Sequence, residues 1–349
     1  MRDRLRAYPM VILLLPLVAA ILLFVTPPPR YPAKAAPNPW QQQLYGRLAA
    51  GGLSSDELAT VGALTLGYKE GLDKELKRHF QASGAAHVLA VSGLHTGIIY
   101  GIMLWLLTLG GRIRPRYENQ AGRIVVSAVI IAVMWGYAWL TGMTPSVVRA
   151  VLMLTLVEIG RGFYRKSFSI NTIAAAAVLI LLVRPKDLWS VSFQLSFAAT
   201  FAIVIVAREV GEIIPYHRLR RTFSGRILNW IIGIFVVSIA AQLGTLPVTM
   251  FYFGQISNYF LLTNLIVLPL ATLLVPCGLI SIALGGSLFG VLFSKVTWAL
   301  AWLMNHSVGW IEHMTGSTTH VTIGLPMVGI YYLIFLSFCL FLIKTSQNT

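Results

Sequence analysis

The sequence predicts an all-α polytopic membrane protein, and three observations support this fold class. Of the 349 residues, 56% are hydrophobic and only 11% are charged, whereas roughly a quarter of a soluble domain is charged. Roughly ten runs are long and apolar enough to cross a bilayer as helices. Basic residues are concentrated in alternate loops between these runs. The sequence therefore argues against a soluble enzyme and indicates about ten transmembrane helices, some of them short or broken.

The first apolar run, residues 9–25, follows three arginines, a pattern shared by signal peptides and membrane anchors. An Ala-x-Ala sequence occurs at Ala33–Ala35, but it lies beyond the prolines of 27–29, which is a poor context for cleavage. We therefore expect residues 1–25 to form a retained N-terminal membrane anchor, with a cleaved signal peptide as the alternative.

Residues 26–84 are polar and do not resemble a membrane span. The sequence Ser54-Ser55-Asp56-Glu57 has the pattern of a capping box that opens a helix, and Asp73–Arg78 predicts a short charged helix. We expect an extracytoplasmic segment with short surface helices, too short to hold a second sizeable core.

The remaining apolar runs fill residues 85–349, which we expect to form one helical channel domain. For the runs that are short or contain proline, the alternative is a re-entrant or broken helix. The predicted bounds are 86–109, 123–141, 145–160, 168–183, 188–207, 227–248, 258–284, 288–310 and 323–343.

The basic residues predict the topology, because short cytoplasmic loops hold an excess of Lys and Arg. With the N-terminus inside, every inside segment except 285–287 carries such residues, whereas the short outside loops carry only Arg184 and Lys186, and the outside loops 249–257 and 311–322 carry none. Both termini are then cytoplasmic and 26–84 is outside. Most of the formal net charge of +15 is thus explained by the cytoplasmic loops, which lie against an anionic lipid bilayer. The net charge therefore argues only weakly for nucleic-acid binding.

The segment from His87 to Gly97 holds the richest set of polar residues within a predicted span. On a helix, Ser92, His95 and Thr96 share one face, and polar groups in a span are candidate pathway residues because they are costly in lipid. An adjacent stripe of small residues favours close helix packing: Gly93, Gly97 and Gly101. The alternative is structural, with Ser92 and Thr96 bonded to carbonyls one turn earlier and His95 bridging two helices.

A second motif places Arg149 one turn inside a helix that begins at Pro145. Arg149 is either a pathway residue or a hydrogen-bonding link between helices. Glu158 lies on the opposite face, and its natural partners are Arg161 and Arg165 at the cytoplasmic end. We therefore interpret Glu158 as part of a structural ion pair.

Two further motifs contain a buried amide each. Around Gln194, residues 189–197 alternate polar and apolar at period two, but a lone strand cannot lie in lipid. We favour a helix over non-helical backbone that lines a cavity. Gln242 precedes Gly244 and Pro247, and the proline frees backbone carbonyls that could line a pore.

Signatures of enzymes are absent from the sequence. There is no G-x-S-x-G elbow, no H-E-x-x-H and no G-x-x-x-x-G-K-[ST]. Cys277 and Cys339 lie in apolar runs, and His306, His313 and His320 do not suggest a converging metal site. We expect no enzyme activity, no metal and no cofactor, and a hydrolase that uses Ser92 is the weakest alternative.

Four motifs follow one another in a fixed order: Ala86-His87-Val88-Leu89-Ala90-Val91-Ser92-Gly93-Leu94-His95, Pro145-Ser146-Val147-Val148-Arg149-Ala150, Phe193-Gln194-Leu195-Ser196-Phe197 and Ala241-Gln242-Leu243-Gly244-Thr245-Leu246-Pro247. The set resembles the competence domain of ComEC-type DNA-uptake channels, and the resemblance runs from about residue 40 to the C-terminus. It implies a bacterial inner-membrane channel that passes single-stranded DNA into the cytoplasm during natural transformation. The residues matched to the family pattern are His87, Ser92, Gly93, His95, Pro145, Arg149, Gln194, Gln242 and Pro247.

The resemblance also implies partners: single-stranded DNA, a separate DNA receptor, a helicase or ATPase, and a nuclease. Many family members carry an OB-like domain and a metallo-β-lactamase-like nuclease domain, for which this sequence offers neither room nor metal ligands. Strand degradation is therefore not expected of this chain. A pore within one chain and a pore within a homodimer both stay open, as does a transporter of another anion.

Overall fold

The described part of the chain is almost entirely helical. The computed structural model describes residues 38–53, 55–89, 91–108, 120–163, 170–213, 222–285 and 287–345. Within them lie twelve α-helices: α1 Pro39–Ala50, α2 Ser55–Leu66, α3 Lys74–Ala82, α4 Gly93–Leu107, α5 Gln120–Leu140, α6 Pro145–Gly162, α7 Ile170–Val183, α8 Val191–Ile213, α9 Phe223–Phe253, α10 Phe260–Leu284, α11 Leu288–Glu312 and α12 Leu325–Thr345. A 3-10 helix covers Pro185–Trp189, and strands β1 (Gln255–Ser257) and β2 (Thr318–His320) pair antiparallel.

The helices confirm the predicted fold class. Each apolar run predicted after residue 85 coincides with one of α4 to α12. Four of the described helices, α5, α9, α10 and α11, are long and apolar enough to cross a membrane by length and composition, and α4, α7, α8 and α12 contain shorter apolar stretches. The run 9–25 lies outside the described residues.

The chain divides into two compact units. Among the described residues, the first unit comprises those of Pro32–Phe168 and Ile266–Ser317, and the second comprises those of Ser169–Leu265 and Thr318–Thr349. The first unit thus holds α1 to α6, most of α10, and α11. The second holds α7 to α9, the two strands and α12.

The core of the first unit includes helix α2, which begins within the predicted capping box; Ser54 itself lies outside the described residues. Every residue of α2 from Ala59 to Leu66 is buried. The helix packs against α11, and Thr60 Oγ1 donates to Asn305 Oδ1 over 2.8 Å. The sequence favours surface helices for this segment, yet α2 belongs to the same core as α10 and α11.

Helix α3 confirms the short charged helix predicted from the sequence. Asp73 caps it by accepting from the backbone N–H of Leu76 over 2.6 Å, as an N-terminal carboxylate is expected to do. Leu76 and Phe80 are buried, and full burial of such a side chain stabilises by roughly 1.5–3 kcal/mol. The charged residues of α3 are therefore held at the surface by an apolar face that enters the core.

In the second unit, α8 and α9 pack closely because of one glycine. A Cβ at Gly244 would lie 2.5 Å from the carbonyl oxygen of Ala198 and 2.6 Å from the Cβ of Ala202. Such distances are not tolerated, so only a residue without a side chain permits this approach. Gly244 therefore has a packing role within its motif.

Candidate functional site

Helix α4 begins at Gly93, so the predicted run 86–109 is wrong at its start. Ser92 is the N-cap: its Oγ accepts from the backbone N–H of Leu94 over 3.2 Å. His95 Nδ1 accepts from the backbone N–H of Ser92 over 3.0 Å, which completes a capping box. The chain before Ser92 forms turns instead of a helix, because Ser92 is extended and satisfies the first helical N–H groups.

The capping arrangement fixes the polar face of α4. Thr96 Oγ1 donates to the carbonyl of Ser92 over 3.1 Å. Thr96 thus makes the hydrogen bond to a carbonyl one turn earlier that was the structural alternative to a pathway role. His95 and Thr96 are both fully buried. Because His95 Nδ1 accepts a hydrogen bond, a neutral ring carries its proton on Nε2, and this buried nitrogen has no hydrogen-bond partner within the described ranges. His95 Nε2 is therefore a buried donor for which no described residue supplies an acceptor.

The N-terminus of α6 lies beside the N-terminus of α4. Ser146 Oγ donates to the carbonyl of Val91 over 2.6 Å, and a Cβ at Gly93 would lie 3.7 Å from the Cβ of Ala150. Pro145 occupies the first turn of α6, as predicted, and Arg149 follows one turn later with only 3% of its surface exposed. We call Ser92, His95, Thr96, Ser146 and Arg149 the α4–α6 site.

The α4–α6 site is electropositive for a simple reason. A helix N-terminus carries roughly half a positive charge from the helix dipole, so it favours anions. Two such termini meet at this place, and the Arg149 guanidinium adds a full positive charge. The arrangement suits a phosphate or another anion.

Three other predicted residues, His87, Gly97 and Gly101, do not belong to the α4–α6 site. His87 is exposed in the turn before α4, with Nδ1 3.1 Å from the carbonyl of Gly84. No described atom lies within 4 Å of a Cβ built at Gly97 or Gly101. Of the predicted glycine stripe, only Gly93 meets a neighbouring helix.

A buried polar network lies at the other end of α6. The carboxylate of Glu158, 1% exposed, pairs with Arg161 Nη1 at 2.9 Å. It also accepts from Tyr100 Oη over 2.6 Å and from Ser127 Oγ over 2.8 Å. The predicted structural ion pair with Arg161 is confirmed, whereas Arg165 lies outside the described residues. The network links α4, α5 and α6.

In the second unit, the helix favoured for residues 189–197 is confirmed from residue 191 onwards. Helix α8 begins at Val191, and the Ser190 hydroxyl accepts from the backbone N–H of Phe193 over 3.1 Å. Gln194 Nε2 donates to the carbonyl of Leu188 over 3.1 Å, which ties α8 to the preceding 3-10 helix. Gln194 therefore has a structural contact at the start of α8.

Pro247 lies inside the continuous helix α9, and Gln242 is half-buried one turn before it. A proline cannot donate to the carbonyl four residues earlier, which here belongs to Leu243. Tyr331 Oη of α12 donates to that carbonyl over 2.9 Å, and Tyr332 Oη donates to the carbonyl of Gly244 over 3.0 Å. The sequence suggested that the carbonyl freed by Pro247 could line a pore. In the structure, this carbonyl instead accepts a hydrogen bond from a tyrosine.

We predict that Tyr331 and Pro247 are energetically coupled. Tyr331→Phe should lower the free energy of unfolding by about 1 kcal/mol. In a Pro247→Ala background the restored backbone N–H can bond Leu243, so the same substitution should cost much less. Tyr332→Phe is the control, because Val248 retains its N–H towards Gly244 in both backgrounds. Thermal unfolding in detergent measures the wild type and each variant, and equal costs for Tyr331→Phe in both backgrounds would contradict the coupling.

The second unit also encloses an apolar cavity of about 370 Å³ between α7, α8, α9 and α12. Its lining includes Leu181, Phe197, Phe201, Phe335 and Cys339. Such a lining offers almost no hydrogen-bond donors, so it does not suit a phosphate. Gln194, Gln242 and Pro247 belong to this second unit, whereas the α4–α6 site belongs to the first.

One set of titratable side chains was not found by the sequence reasoning. In the first unit, His79 of α3 meets Glu312 and His313 at the end of α11, with one ligand atom of each within 4.8 Å of the others. The heptad spacing of the histidines at 306, 313 and 320 gives no converging set, so the sequence does not single out His313 as a metal ligand. The sequence spacing between His79 and Glu312 gives no sign that they meet.

The comparisons with known proteins agree with the sequence motifs. The family model described as Competence protein matches residues 64–346. The chain is 27% identical to ComE operon protein 3 of Bacillus subtilis over 72% of this chain and 30% of that protein. It is 28% identical to Recombination protein 2 of Haemophilus influenzae over 65% of this chain and 28% of that protein. No solved structure matches the chain significantly.

A further relative is Competence protein ComA of Neisseria gonorrhoeae, 29% identical over 45% of this chain and 22% of that protein. In each alignment, the chain covers less than a third of the relative's length. The family model, in contrast, covers most of the chain and includes both the α4–α6 site and the motifs around Gln194 and Gln242. The chain therefore belongs to the Competence protein family.

Proposed function

We propose that this membrane protein is an inner-membrane channel that passes single-stranded DNA into the cytoplasm during natural transformation. Membership of the Competence protein family supports the process, as do relatives named for competence and recombination. The observation that carries the proposal is the α4–α6 site, where two helix N-termini meet beside the buried Arg149.

The chemistry of this site suits a polyanion that must move. A strand in transit needs donors and positive potential along a wet path, but binding that is too tight stops conduction. The α4–α6 site supplies two helix dipoles, one guanidinium and the Nε2–H of His95. These groups attract phosphates without forming a dense cluster of cationic side chains.

The proposal includes no enzymatic step for this chain. Ser92 and His95 are the pair that a hydrolase would use, yet the Oγ–Nδ1 distance is 3.4 Å. His95 Nδ1 already accepts from the backbone N–H of Ser92, so it is not available as the base of that serine. We propose that a separate helicase or ATPase drives transport, that a nuclease degrades the other strand, and that a receptor delivers DNA.

We further propose that both termini are cytoplasmic and that 26–84 faces the outside. The distribution of Lys and Arg in short loops supports this orientation. A homodimer is compatible with the same topology. Cysteine accessibility scanning at exposed loop positions would give the orientation directly.

Deletion of the gene in a transformable host tests the function. We expect the deletion strain to bind labelled double-stranded DNA at its surface but to accumulate no DNase-resistant label and no transformants. Complementation by the wild-type gene should restore both. Normal DNase-resistant uptake in the deletion strain would overturn the proposal.

A transporter of another anion is the second candidate, because the donors of the α4–α6 site are not specific to nucleotides. Reconstituted vesicles distinguish the two functions. Vesicles that pass a small anion and exclude a single-stranded oligonucleotide would favour the second candidate, and the reverse result would favour the channel for DNA.

A further inference from the structure

We propose that His79, Glu312 and His313 form a zinc site at the junction of α3 and the C-terminal end of α11. Glu312 Oε2 lies 3.9 Å from His79 Nε2 and 3.6 Å from His313 Nδ1. The three ligand atoms all lie within 4.8 Å of one another. Neither the family match nor the proposed transport of DNA enters this inference.

The cluster is held by elements that are themselves well anchored. Helix α3 is fixed by its Asp73 cap and by the buried Phe80, which directly follows His79. Its partner α11 has Gly309 in the last turn, where a Cβ would lie 3.7 Å from His79 Nδ1. The imidazole of His79 therefore packs against the last turn of α11.

The separations are wrong for hydrogen bonds but close to those of a metal site. At 3.6 Å and 3.9 Å the pairs exceed the usual hydrogen-bond distance. His79 Nε2 and Glu312 Oε2 are both buried and have no hydrogen-bond partner in the described part of the chain, although buried polar atoms normally have one. Ligands at about 2.0–2.2 Å around a tetrahedral Zn²⁺ stand roughly 3.3–3.6 Å apart. For the two pairs that involve Glu312, a contraction of a few tenths of an ångström would give this spacing, and the two histidine nitrogens must also approach each other from within 4.8 Å.

The donor set selects the metal. Two imidazoles and one carboxylate are a common zinc set that leaves a fourth position for water, whereas Ca²⁺ and Mg²⁺ prefer sites made of oxygen alone. Arg78 Nη1 lies 3.4 Å from Glu312 Oε1, which leaves Oε2 towards the histidines and orients the carboxylate. Glu75 Oε1 lies 3.9 Å from His79 Nε2 and adds negative charge on the exposed side.

Zinc binding to the full chain, purified in detergent without a polyhistidine tag, tests the site. We expect about one Zn²⁺ per chain by elemental analysis after equilibrium dialysis, and a higher midpoint of thermal unfolding with Zn²⁺ than with EDTA. His313→Ala, His79→Ala and Glu312→Gln should each weaken zinc binding at least tenfold. His313 is mostly exposed, so its replacement removes a ligand without disturbing the core.

The control is His306→Ala, because His306 lies on α11 but outside the cluster, with Nδ1 2.9 Å from the carbonyl of Trp302. This variant should bind zinc as the wild type does. The proposal is overturned if the wild-type chain binds no zinc. It is also overturned if His313→Ala retains wild-type affinity, or if His306→Ala loses as much affinity as His313→Ala.

Discussion

Replacing Arg149 by methionine should reduce transformation by roughly 100-fold while the protein stays in the membrane at its normal level. The methionine side chain replaces most of the aliphatic stem but removes the charge beside the two helix N-termini. Hydrogen bonds to a charged group contribute about 1.5–3 kcal/mol, which corresponds to roughly 10- to 150-fold in a rate. Transformant counts, with immunoblots of membrane fractions, measure the effect.

Two companion variants separate a loss of charge at the site from a loss of charge in general. Arg149→Lys keeps the charge but not the planar fork, so it should restore part of the activity. Arg226→Met removes the same charge from an exposed position on α9 and should leave transformation nearly unchanged. Wild-type transformation by Arg149→Met at an equal protein level would contradict the role of the α4–α6 site.

Replacing Glu158 by alanine should cause the largest loss of stability among the substitutions considered. The carboxylate joins Tyr100, Ser127 and Arg161 while it is almost fully buried. Its removal leaves the partly buried guanidinium and two hydroxyl groups without their acceptor, and breaking such a buried pair costs about 3–5 kcal/mol. The unfolding midpoint of the purified protein in detergent measures the loss.

Glu158→Gln and Glu70→Ala are the matched variants for this prediction. Glutamine retains an acceptor of the same shape, so it should lose clearly less stability than alanine. Glu70 is exposed, and its replacement should change the free energy of unfolding by no more than about 0.5 kcal/mol. Equal midpoints for Glu158→Ala and Glu70→Ala would show that the network does not stabilise the protein.

The helical architecture was largely predictable, because a span must satisfy its own backbone hydrogen bonds and therefore produces a long apolar run. The start of α4, in contrast, was not predictable from the hydropathy pattern. Apolar residues continue before Ser92, so the hydropathy pattern hid an N-cap whose His95 takes the place of the usual Glu or Gln. The burial of α2 was also missed, since its polar neighbours made the whole segment resemble a surface.

Long-range contacts limited the prediction of the candidate site. The order of the motifs was enough to find Arg149 and His95, and the physics of a buried charge singled them out. Nothing local in the sequence, however, tells that Tyr331 satisfies the carbonyl of Leu243, or that Tyr100 and Ser127 share Glu158. The cluster of His79, Glu312 and His313 forms only when α3 packs against the end of α11.

Passage of DNA through the purified chain tests the central claim most directly. In a planar bilayer, an applied voltage replaces the cellular motor, because it acts on every phosphate of the strand. We expect a single-stranded oligonucleotide to appear in the opposite chamber, a duplex of the same length to be excluded, and Arg149→Met to slow the passage strongly. Failure of the wild-type chain to pass single strands above the level of a protein-free bilayer would contradict the account.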